Sequence, residues 1–430
     1  MSEEPGESER SAGGEARASL APVAAPERIA EMDVLRGFAL LGILLMNVEF
    51  FFRPLQGIYL GLDRGLEGAD AVAAWLVMTF VQGKFYTLFS MLFGMGFAIQ
   101  LERATARGAG FGGAYSRRLL ALLAFGLAHG LLIWAGDILV PYAVIGFVLL
   151  LFRKTPVSRL PKWAAALLLV PMLLMSLFVA GVELASSNEV AREQIVRSQA
   201  ESEAEILEMA RTASEIYTQG DFGELTAQRG LDVVQQLQFL PMFGITLLGL
   251  FLLGAWFVRS ETITKASEHL PRFRRMLAIG LGAGAPLAVA AMSLGYGEGL
   301  LRISPRAFAA SALMLVAALL LSFGYLAGVV LLVHRPGWRT RLAPLAAAGR
   351  MALTNYILQS VVMTAIAYSW GLGMFGRVPR AWQIALAVAV WGANVALSVW
   401  WLRRFRFGPL EWLWRTITYL APQPMRRSAG

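Results

Sequence analysis

Residues 33–52 read DVLRGFALLGILLMNVEFFF, an apolar stretch long enough to cross a membrane as one helix. A spanning helix needs about 20 predominantly apolar residues, and comparable stretches recur along the rest of the chain. We therefore predict an all-α fold, a polytopic membrane bundle of about ten transmembrane helices. The predicted spans are 33–52, 84–102, 115–135, 138–153, 162–184, 238–258, 275–296, 307–333, 342–369 and 382–402.

The composition of the 430 residues agrees with a membrane protein. Hydrophobic residues make up 57% of the chain and charged residues 16%, against roughly 25% charged residues in a soluble domain. These values exclude a soluble enzyme and a nucleic-acid-binding protein. The chain has no cysteine, which excludes disulfides, thiolate metal sites and a cysteine nucleophile, and we predict no metal site.

Lysine and arginine cluster in alternate loops between the predicted spans. Such clusters favour the cytoplasmic side of a membrane, so we predict a multi-pass protein of the bacterial cytoplasmic (inner) membrane with both termini in the cytoplasm. The net charge of +9 is then a topology signal, and we expect contact with membrane lipids and no nucleic-acid partner. The basic clusters lie within 103–118, 153–162, 272–275, 334–341 and 403–406.

The sequence divides into five segments. Residues 1–30, rich in Glu, Gly, Ser and Ala, are predicted to form a disordered cytoplasmic tail. Residues 31–185 and 237–408 form the two halves of the transmembrane bundle. Between them, 186–236 is predicted to be an acidic, amphipathic, extracytoplasmic helical insertion, either a cap over an external site or a solvated insertion. Residues 409–430 hold an interfacial helix, too short to span, and a cytoplasmic tail.

Polar side chains inside the predicted spans are the candidate catalytic residues. A charged group in the hydrocarbon costs about 2.5–3.5 kcal/mol, so each marks a functional-site hypothesis. Asn47 stands eleven residues after Arg36, and His129 stands eleven residues after Arg118. At about 1.5 Å per helical residue, Asn47 and His129 then lie about 16 Å from the same membrane surface. We predict that His129 is a general base, that Asp137 orients its ring and that Asn47 completes the catalytic group.

Structural interpretations of the same residues stay open. His129 can equally pack between helices and bond a backbone carbonyl, and Asn47 can bond a neighbouring helix. Eight residues separate His129 from Asp137, about 12 Å along a continuous helix, so direct contact requires a break at Gly136 or a different partner for the imidazole.

A second group of polar residues suits substrate binding. Guanidinium groups bind phosphate in a bidentate manner, and amides four residues apart share one face of a helix. For Arg36 and Lys84, a side chain that reaches the membrane boundary is the alternative interpretation. The candidates are Arg36, Lys84, Arg118, Arg350, Asn355, Tyr356 and Gln359.

Five motifs, in order, resemble those of the YeiB-like bacterial membrane protein family, which carries domain of unknown function 418. They are DVLRGFALLGIL (33–44), GKFYTLFSMLFG (83–94), HGLLIWAGDIL (129–139), GRMALTNYILQS (349–360) and GPLEWLWR (408–415). The resemblance covers nearly the whole chain after residue 30. It implies the fold of that family more directly than an activity.

The first motif also resembles that of the wider transmembrane acyltransferase superfamily. In its O-acyltransferases a histidine stands eleven residues after the motif arginine, whereas this chain has Asn47 eleven residues after Arg36. The N-acetyltransferase branch tends to carry asparagine there and to use a histidine from elsewhere, for which His129 is the intramembrane candidate. The resemblance implies an acyl-CoA donor on the cytoplasmic side, near Arg36, Arg118 and Arg350.

Two classes of function follow. The first is an integral-membrane acyltransferase that moves an acyl group from acyl-CoA, as co-substrate, to a hydroxyl or amine of an envelope carbohydrate or lipid-linked acceptor, with no permanently bound cofactor. The alternative is a transporter or binding protein for a small solute or lipid that uses the same polar residues. A scaffold or sensor is a third and weaker interpretation, and a homodimer stays open.

Overall fold

The computed structural model describes residues 29–61, 65–108, 110–299, 301 and 303–427. All but the last two residues of the predicted tail, 1–30, lie outside this range. Within it the regular structure is helical, apart from one isolated antiparallel bridge between Phe405 and Arg426. The predicted all-α membrane bundle is therefore confirmed.

The first half of the bundle contains short helices as well as long ones. Its helices are α1 (Ala30–Phe51), α2 (Gly57–Leu60), α3 (Gly68–Phe80), α4 (Lys84–Ala106), α5 (Phe111–Leu132), α6 (Leu139–Leu149) and α7 (Leu160–Ala185). The segment between the halves is helical, as predicted. It forms α8 (Glu189–Gln219) and α9 (Phe222–Gln238).

The second half of the bundle ends in a short helix that follows the last long one. Its helices are α10 (Leu240–Arg259), α11 (Leu270–Ser293), α12 (Pro305–Val333), α13 (Trp338–Arg341), α14 (Ala343–Arg350), α15 (Ala352–Ala367), α16 (Arg380–Arg404) and α17 (Pro409–Tyr419).

Seven helical segments in the described residues are long and apolar enough to cross a membrane. They contain α1, α3 with α4, α7, α10, α11, α12 and α16. The other three predicted spans are also helical. α5 carries two arginines and a histidine, α6 is 11 residues long, and α15 is 16 residues long. The count of about ten spans stays a prediction.

α1 lies at the centre of the bundle and packs against α4, α12, α14, α15 and α16. A second tight contact joins α4 to α10. A Cβ atom at Gly94 would overlap the carbonyl oxygen of Phe251, and one at Gly254 would overlap that of Met91. Only glycine allows two helix backbones to approach so closely, so these two positions fix the spacing of α4 and α10.

The bundle has two chemically different ends. At the basic end, α1 begins, α5 begins and α10 ends, and Arg259 donates a hydrogen bond to the carbonyl of Thr155 at 2.7 Å. At the cap end, α8 and α9 lie over the bundle, and Gln56 after α1 donates a hydrogen bond to Asp232 of α9 at 3.0 Å. The helices run alternately between these ends.

The predicted span 342–369 is not one continuous helix. α14 ends and α15 begins at Met351, whose backbone leaves the helical region (φ −112°, ψ 33°). The carboxylate of Glu411 accepts hydrogen bonds from the backbone N–H of Leu353 (2.7 Å) and Thr354 (3.0 Å) and from the Thr354 hydroxyl (2.6 Å). An acidic group at a helix N-terminus satisfies free N–H groups, so α17 stabilises the break.

Candidate functional site

α5 and α6 form a helical hairpin whose turn lies at the cap end. The break falls at Ile133 rather than at Gly136, because the N–H groups of Ile133 and Trp134 both bond the carbonyl of His129 and end α5. The chain then reverses, and Asp137 lies beside the last turn of α5. Gly126 makes this possible, since a Cβ there would lie 2.9 Å from the Asp137 carboxylate.

The turn brings His129 and Asp137 into direct contact. His129 Nδ1 lies 2.9 Å from Asp137 Oδ1, and both side chains are buried. The other carboxylate oxygen, Oδ2, accepts the N–H of Val140 at 2.7 Å in the first turn of α6. Because an ionised carboxylate only accepts hydrogen bonds, we assign Asp137 as the acceptor and Nδ1–H of His129 as the donor.

The second ring nitrogen of His129 is free. Nε2 is buried and has no hydrogen-bond partner among the described residues. The centroid of the Tyr356 ring lies 5.0 Å from that of the imidazole, and the Tyr356 hydroxyl accepts the N–H of Ile138 at 3.4 Å. With the proton on Nδ1, Nε2 carries a lone pair that can accept a proton.

A large cavity, which we call the cap-end cavity, reaches this site from the cap end. Its volume is about 680 Å³, within the range of small-molecule sites. Asn47 of α1, Asp137 and Gln236 of α9 line it among mostly apolar side chains. Asp137 thus contacts both the cavity and the imidazole.

A smaller cavity, the basic-end cavity, approaches from the opposite end and has a volume of about 130 Å³. Arg36, Gln100, Arg118, Tyr356 and Trp414 are among the residues that line it. The guanidinium of Arg118 lies 3.4 Å from the centroid of the Trp414 ring, and Arg36 pairs with Asp33 of its own helix at 2.9 Å.

The two cavities share wall residues in the middle of the bundle. Ile43, Ile138 and Tyr142 line both of them. His129 lines neither cavity, but it contacts Asp137 in the wall of one and Tyr356 in the wall of the other. The imidazole therefore contacts one wall residue of each cavity.

The α8–α9 insertion is docked on the turn that carries Asp137. Arg229 donates hydrogen bonds to the carbonyls of Leu131 (2.9 Å) and Ile133 (3.3 Å), and Gln236 donates one to the carbonyl of Ala135 (2.8 Å). The carbonyl of Leu131 belongs to the last turn of α5, and those of Ile133 and Ala135 belong to the turn that follows it. The insertion is thus a structural support of the site and, through Gln236, part of the cavity wall.

A buried polar cluster holds the insertion in place. The Asp232 carboxylate accepts hydrogen bonds from Tyr217 (2.6 Å), Gln228 (2.9 Å) and Gln56 (3.0 Å). Burial raises the pKa of the Asp232 carboxyl, and the same three hydrogen bonds oppose that rise. The cluster joins α8, α9 and the segment after α1.

Two predicted substrate-binding residues lie away from the cavity walls. Lys84, expected at the membrane boundary, is fully buried, and its ammonium group lies 3.1 Å from the carbonyl of Met78 and 3.0 Å from the Met314 sulfur. Arg350 ends α14 and lines neither cavity.

Two further predicted residues are buried within α15. Asn355 donates hydrogen bonds to the carbonyl of Ala348 (3.0 Å) and to the Ser398 hydroxyl (2.9 Å), and so links the α14–α15 break to α16. Gln359 is buried, and its amide nitrogen has no partner in the part of the chain that the structure describes. Neither residue lines the cap-end cavity or the basic-end cavity.

The structure adds residues that the sequence reasoning missed. Trp414 and Arg415 come from the GPLEWLWR motif, and Arg415 and Arg36 each lie close enough to Arg118 for electrostatic repulsion with it. Gln236 and Arg229 stand in the acidic insertion. The motif was a signal for Trp414 and Arg415, whereas nothing in the local sequence marks Gln236 or Arg229.

These features define the class of the protein. It is a multi-pass, all-helical membrane protein with a buried histidine–carboxylate pair beside two cavities that enter the bundle from opposite ends. The family model described as "Protein of unknown function (DUF418)" matches residues 257–421.

Full-length relatives extend the match over the His129–Asp137 region. "Uncharacterized protein YxaH" of Bacillus subtilis is 36% identical over 431 residues, covering 95% of this chain and 98% of its own. "Uncharacterized protein YeiB" of Escherichia coli is 31% identical over 410 residues, covering 93% and 98%. A Bacillus acidopullulyticus protein described as "Uncharacterized 39.9 kDa protein in amylase 3'region" is 28% identical, covering 93% and 96%. The chain belongs to the YeiB-like DUF418 family.

Proposed function

We propose that the protein is an integral-membrane acyltransferase that uses acyl-CoA as donor and a hydroxyl or amine as acceptor. The observation that carries the proposal is the His129–Asp137 pair, 2.9 Å apart, which contacts wall residues of two cavities. A base whose ring is oriented by a carboxylate and which contacts wall residues of two cavities suits a reaction whose substrates arrive from opposite sides.

The basic-end cavity is the proposed donor site. Its volume of about 130 Å³ is below the usual range of small-molecule sites, so only the thioester end of acyl-CoA would enter it. The nucleotide phosphates would then remain outside, near Arg36, Arg118 and Arg415, because guanidinium groups bind phosphate strongly. The positive-inside rule supports a donor on the cytoplasmic side, because arginines surround this cavity.

The proposed reaction is a direct transfer. The acceptor oxygen or nitrogen attacks the thioester carbonyl carbon while His129 Nε2 takes the acceptor's proton. The tetrahedral oxyanion collapses, the C–S bond breaks, and the imidazolium returns the proton to the thiolate of coenzyme A. Asp137 stabilises the imidazolium, and Asn47 and the Tyr356 hydroxyl are the candidate donors to the oxyanion.

Transport is the second candidate, because two cavities that share wall residues also resemble a path through the bundle. A transporter would move a solute across proteoliposomes without any acyl donor. Uptake that is independent of acyl-CoA and is lost in His129→Ala would favour transport over transfer.

Binding of coenzyme A tests the donor half of the proposal. The purified full-length protein should be stabilised against heat by coenzyme A, by about 2.7 kcal/mol at a hundredfold excess over the dissociation constant. Arg118→Met should abolish most of this stabilisation, since it removes the guanidinium at Trp414.

The matched control is Arg192→Met, which removes an arginine that is 60% exposed in the acidic insertion. This variant should respond to coenzyme A as the wild type does. Equal stabilisation of Arg118→Met and wild type, or none in either, would contradict the assigned donor site.

A further inference from the structure

The cap-end cavity is polar near the cap end and apolar in its deeper part. Its amide and carboxylate side chains, Asn47, Gln82, Asp137 and Gln236, all belong to segments at or near the cap end. The rest of the wall is mostly apolar. A free sugar in such a cavity would leave most of its hydroxyls without partners, which costs free energy for each one buried.

The apolar wall extends to the middle of the bundle. α7 contributes Pro171, Met172 and Met175, which lie about halfway along its 26 residues, and α12 contributes Met314 and Leu315. This depth corresponds to the hydrocarbon core in a helix that spans the membrane. A ligand that fills the cavity therefore needs an apolar portion at that depth.

The rim of the cavity continues into the surface that faces the lipid. Met175, Phe239 and Met242 line the cavity and are also 46%, 50% and 40% exposed. The neighbouring Leu173 of α7 is 58% exposed, and only 11% of the apolar window in that span is buried. Exposed apolar side chains of a spanning helix contact lipid chains, so the cavity opens towards the bilayer beside α7 and α10.

We propose that the cap-end cavity binds a membrane lipid and that this lipid is the acyl acceptor. Its hydrocarbon chain enters at the rim formed by α7 and α10 and lies against Met172 and Leu315. Its polar head carries the nucleophilic hydroxyl or amine and lies beside Asn47 and Asp137. The inference rests on the proposed transferase activity, whose acceptor it narrows to a lipid.

Photolabelling of the full-length protein in nanodiscs tests lipid occupancy directly. The probe is hexadecanol with a diazirine in the middle of its chain, and labelled positions are mapped by mass spectrometry. Labelling at Met172 should saturate with probe concentration, because the cavity is a site. Labelling at Ile279, which is 56% exposed on α11, should rise without saturation as for any lipid-facing residue.

Adjacent substitutions on one helix provide the matched control. Leu315→Trp places a large side chain in the cavity, whereas Val316→Trp places it at a position that is 42% exposed on the same helix. Leu315→Trp should lower labelling at Met172 about tenfold, equivalent to about 1.4 kcal/mol of binding free energy. Val316→Trp should leave it unchanged. If Leu315→Trp does not fold, a second pair of variants replaces it. Met172→Trp should lower labelling at Leu315, and the control Leu173→Trp should leave it unchanged.

The outcomes separate the lipid site from the transferase activity. Saturable labelling that Leu315→Trp abolishes, with no release of coenzyme A by the wild type, would support the lipid site and contradict the transferase. Equal labelling in Leu315→Trp and Val316→Trp would overturn the lipid site. Acyl transfer to a water-soluble sugar that is unaffected by Leu315→Trp would also overturn it while supporting the transferase.

Discussion

Asp137 and Glu411 are two buried carboxylates that each accept N–H groups from the first turn of a helix, but their surroundings differ. Glu411 lies at the N-terminus of α15 and accepts three hydrogen bonds from Leu353 and Thr354. Asp137 uses one oxygen for α6 and the other for His129, and it lines a cavity. Hydrogen bonds from a helix N-terminus to a carboxylate therefore stabilise a helix break at Glu411, whereas at Asp137 they position a carboxylate that orients the proposed base.

The difference teaches how to separate a structural carboxylate from a functional one in a membrane bundle. Burial and helix capping are common to both. What distinguishes Asp137 is that its partner, His129, keeps a second nitrogen without a hydrogen bond in the described structure. An unsatisfied buried group costs about 1–3 kcal/mol, a cost that a role in chemistry accounts for.

Substitution of the base should have the largest effect. His129→Ala removes the proton acceptor and should lower the rate of acyl transfer by about 10²–10⁴-fold. The melting temperature should also fall, because the buried Asp137 carboxylate loses its hydrogen-bond partner, so the rate is compared per folded molecule. His269→Ala, at the basic end, is the control and should retain the full rate.

Asp137→Asn should come next, with a loss of about 10²-fold in rate. The asparagine oxygen can still accept the Val140 N–H, which turns the NH₂ group towards His129 Nδ1. The imidazole proton then moves to Nε2, and the base loses its lone pair at the reacting side. A rate equal to that of the wild type would show that the pair has no part in proton transfer.

Glu411→Ala should affect stability instead of chemistry. It leaves the N–H groups of Leu353 and Thr354 buried without their acceptor, a cost of about 1–3 kcal/mol in the free energy of unfolding. The melting temperature should fall, while the rate per folded molecule should be kept. A selective loss of rate without a loss of stability would make Glu411 resemble Asp137 and break the comparison.

Arg229→Ala should have a smaller effect on the rate. The guanidinium holds the carbonyls of Leu131 and Ile133, so its loss loosens the turn that positions Asp137. We expect about a tenfold lower kcat, because small displacements of catalytic groups are costly, with little change in KM for the donor. A proportional rise in KM with unchanged kcat would argue against a positioning role.

The pH dependence of stability gives the smallest expected effect. Burial raises the pKa of the Glu411 carboxyl, although hydrogen bonds from Thr354 and Leu353 oppose this. The folded protein then binds the proton more tightly than the unfolded chain, so this contribution to stability decreases as pH rises from the ordinary glutamate pKa through the raised one. In Glu411→Gln the melting temperature should depend less on pH over this interval. An unchanged dependence on pH would contradict a raised pKa of Glu411.

Hydropathy was sufficient to predict the class of fold, because spanning helices must be long and apolar. It did not predict the break at Met351, since the acid that caps α15, Glu411, stands 58 residues away from Leu353 in sequence. Hydropathy also did not predict that the ammonium group of Lys84 is buried against the Met78 carbonyl and the Met314 thioether, which come from other helices.

The candidate site was predictable in part. His129 and Asp137 stood out as polar residues in apolar surroundings, but their contact depends on the reversal at Ile133, where α5 ends in a backbone hydrogen-bond pattern that no single residue signals. Asn355 stood out for the same reason as His129, yet it bonds Ala348 and Ser398. Polarity identified buried residues and could not show which of them lie beside a cavity.

Release of coenzyme A is the measurement that tests the central claim most directly. The chain has no cysteine, so a thiol reagent detects coenzyme A without a signal from the protein itself. With acyl-CoA and bacterial membrane lipids, wild type and His269→Ala should release thiol at equal rates, and folded His129→Ala should release almost none. Equal release by His129→Ala and wild type, or no release by wild type, would contradict the account.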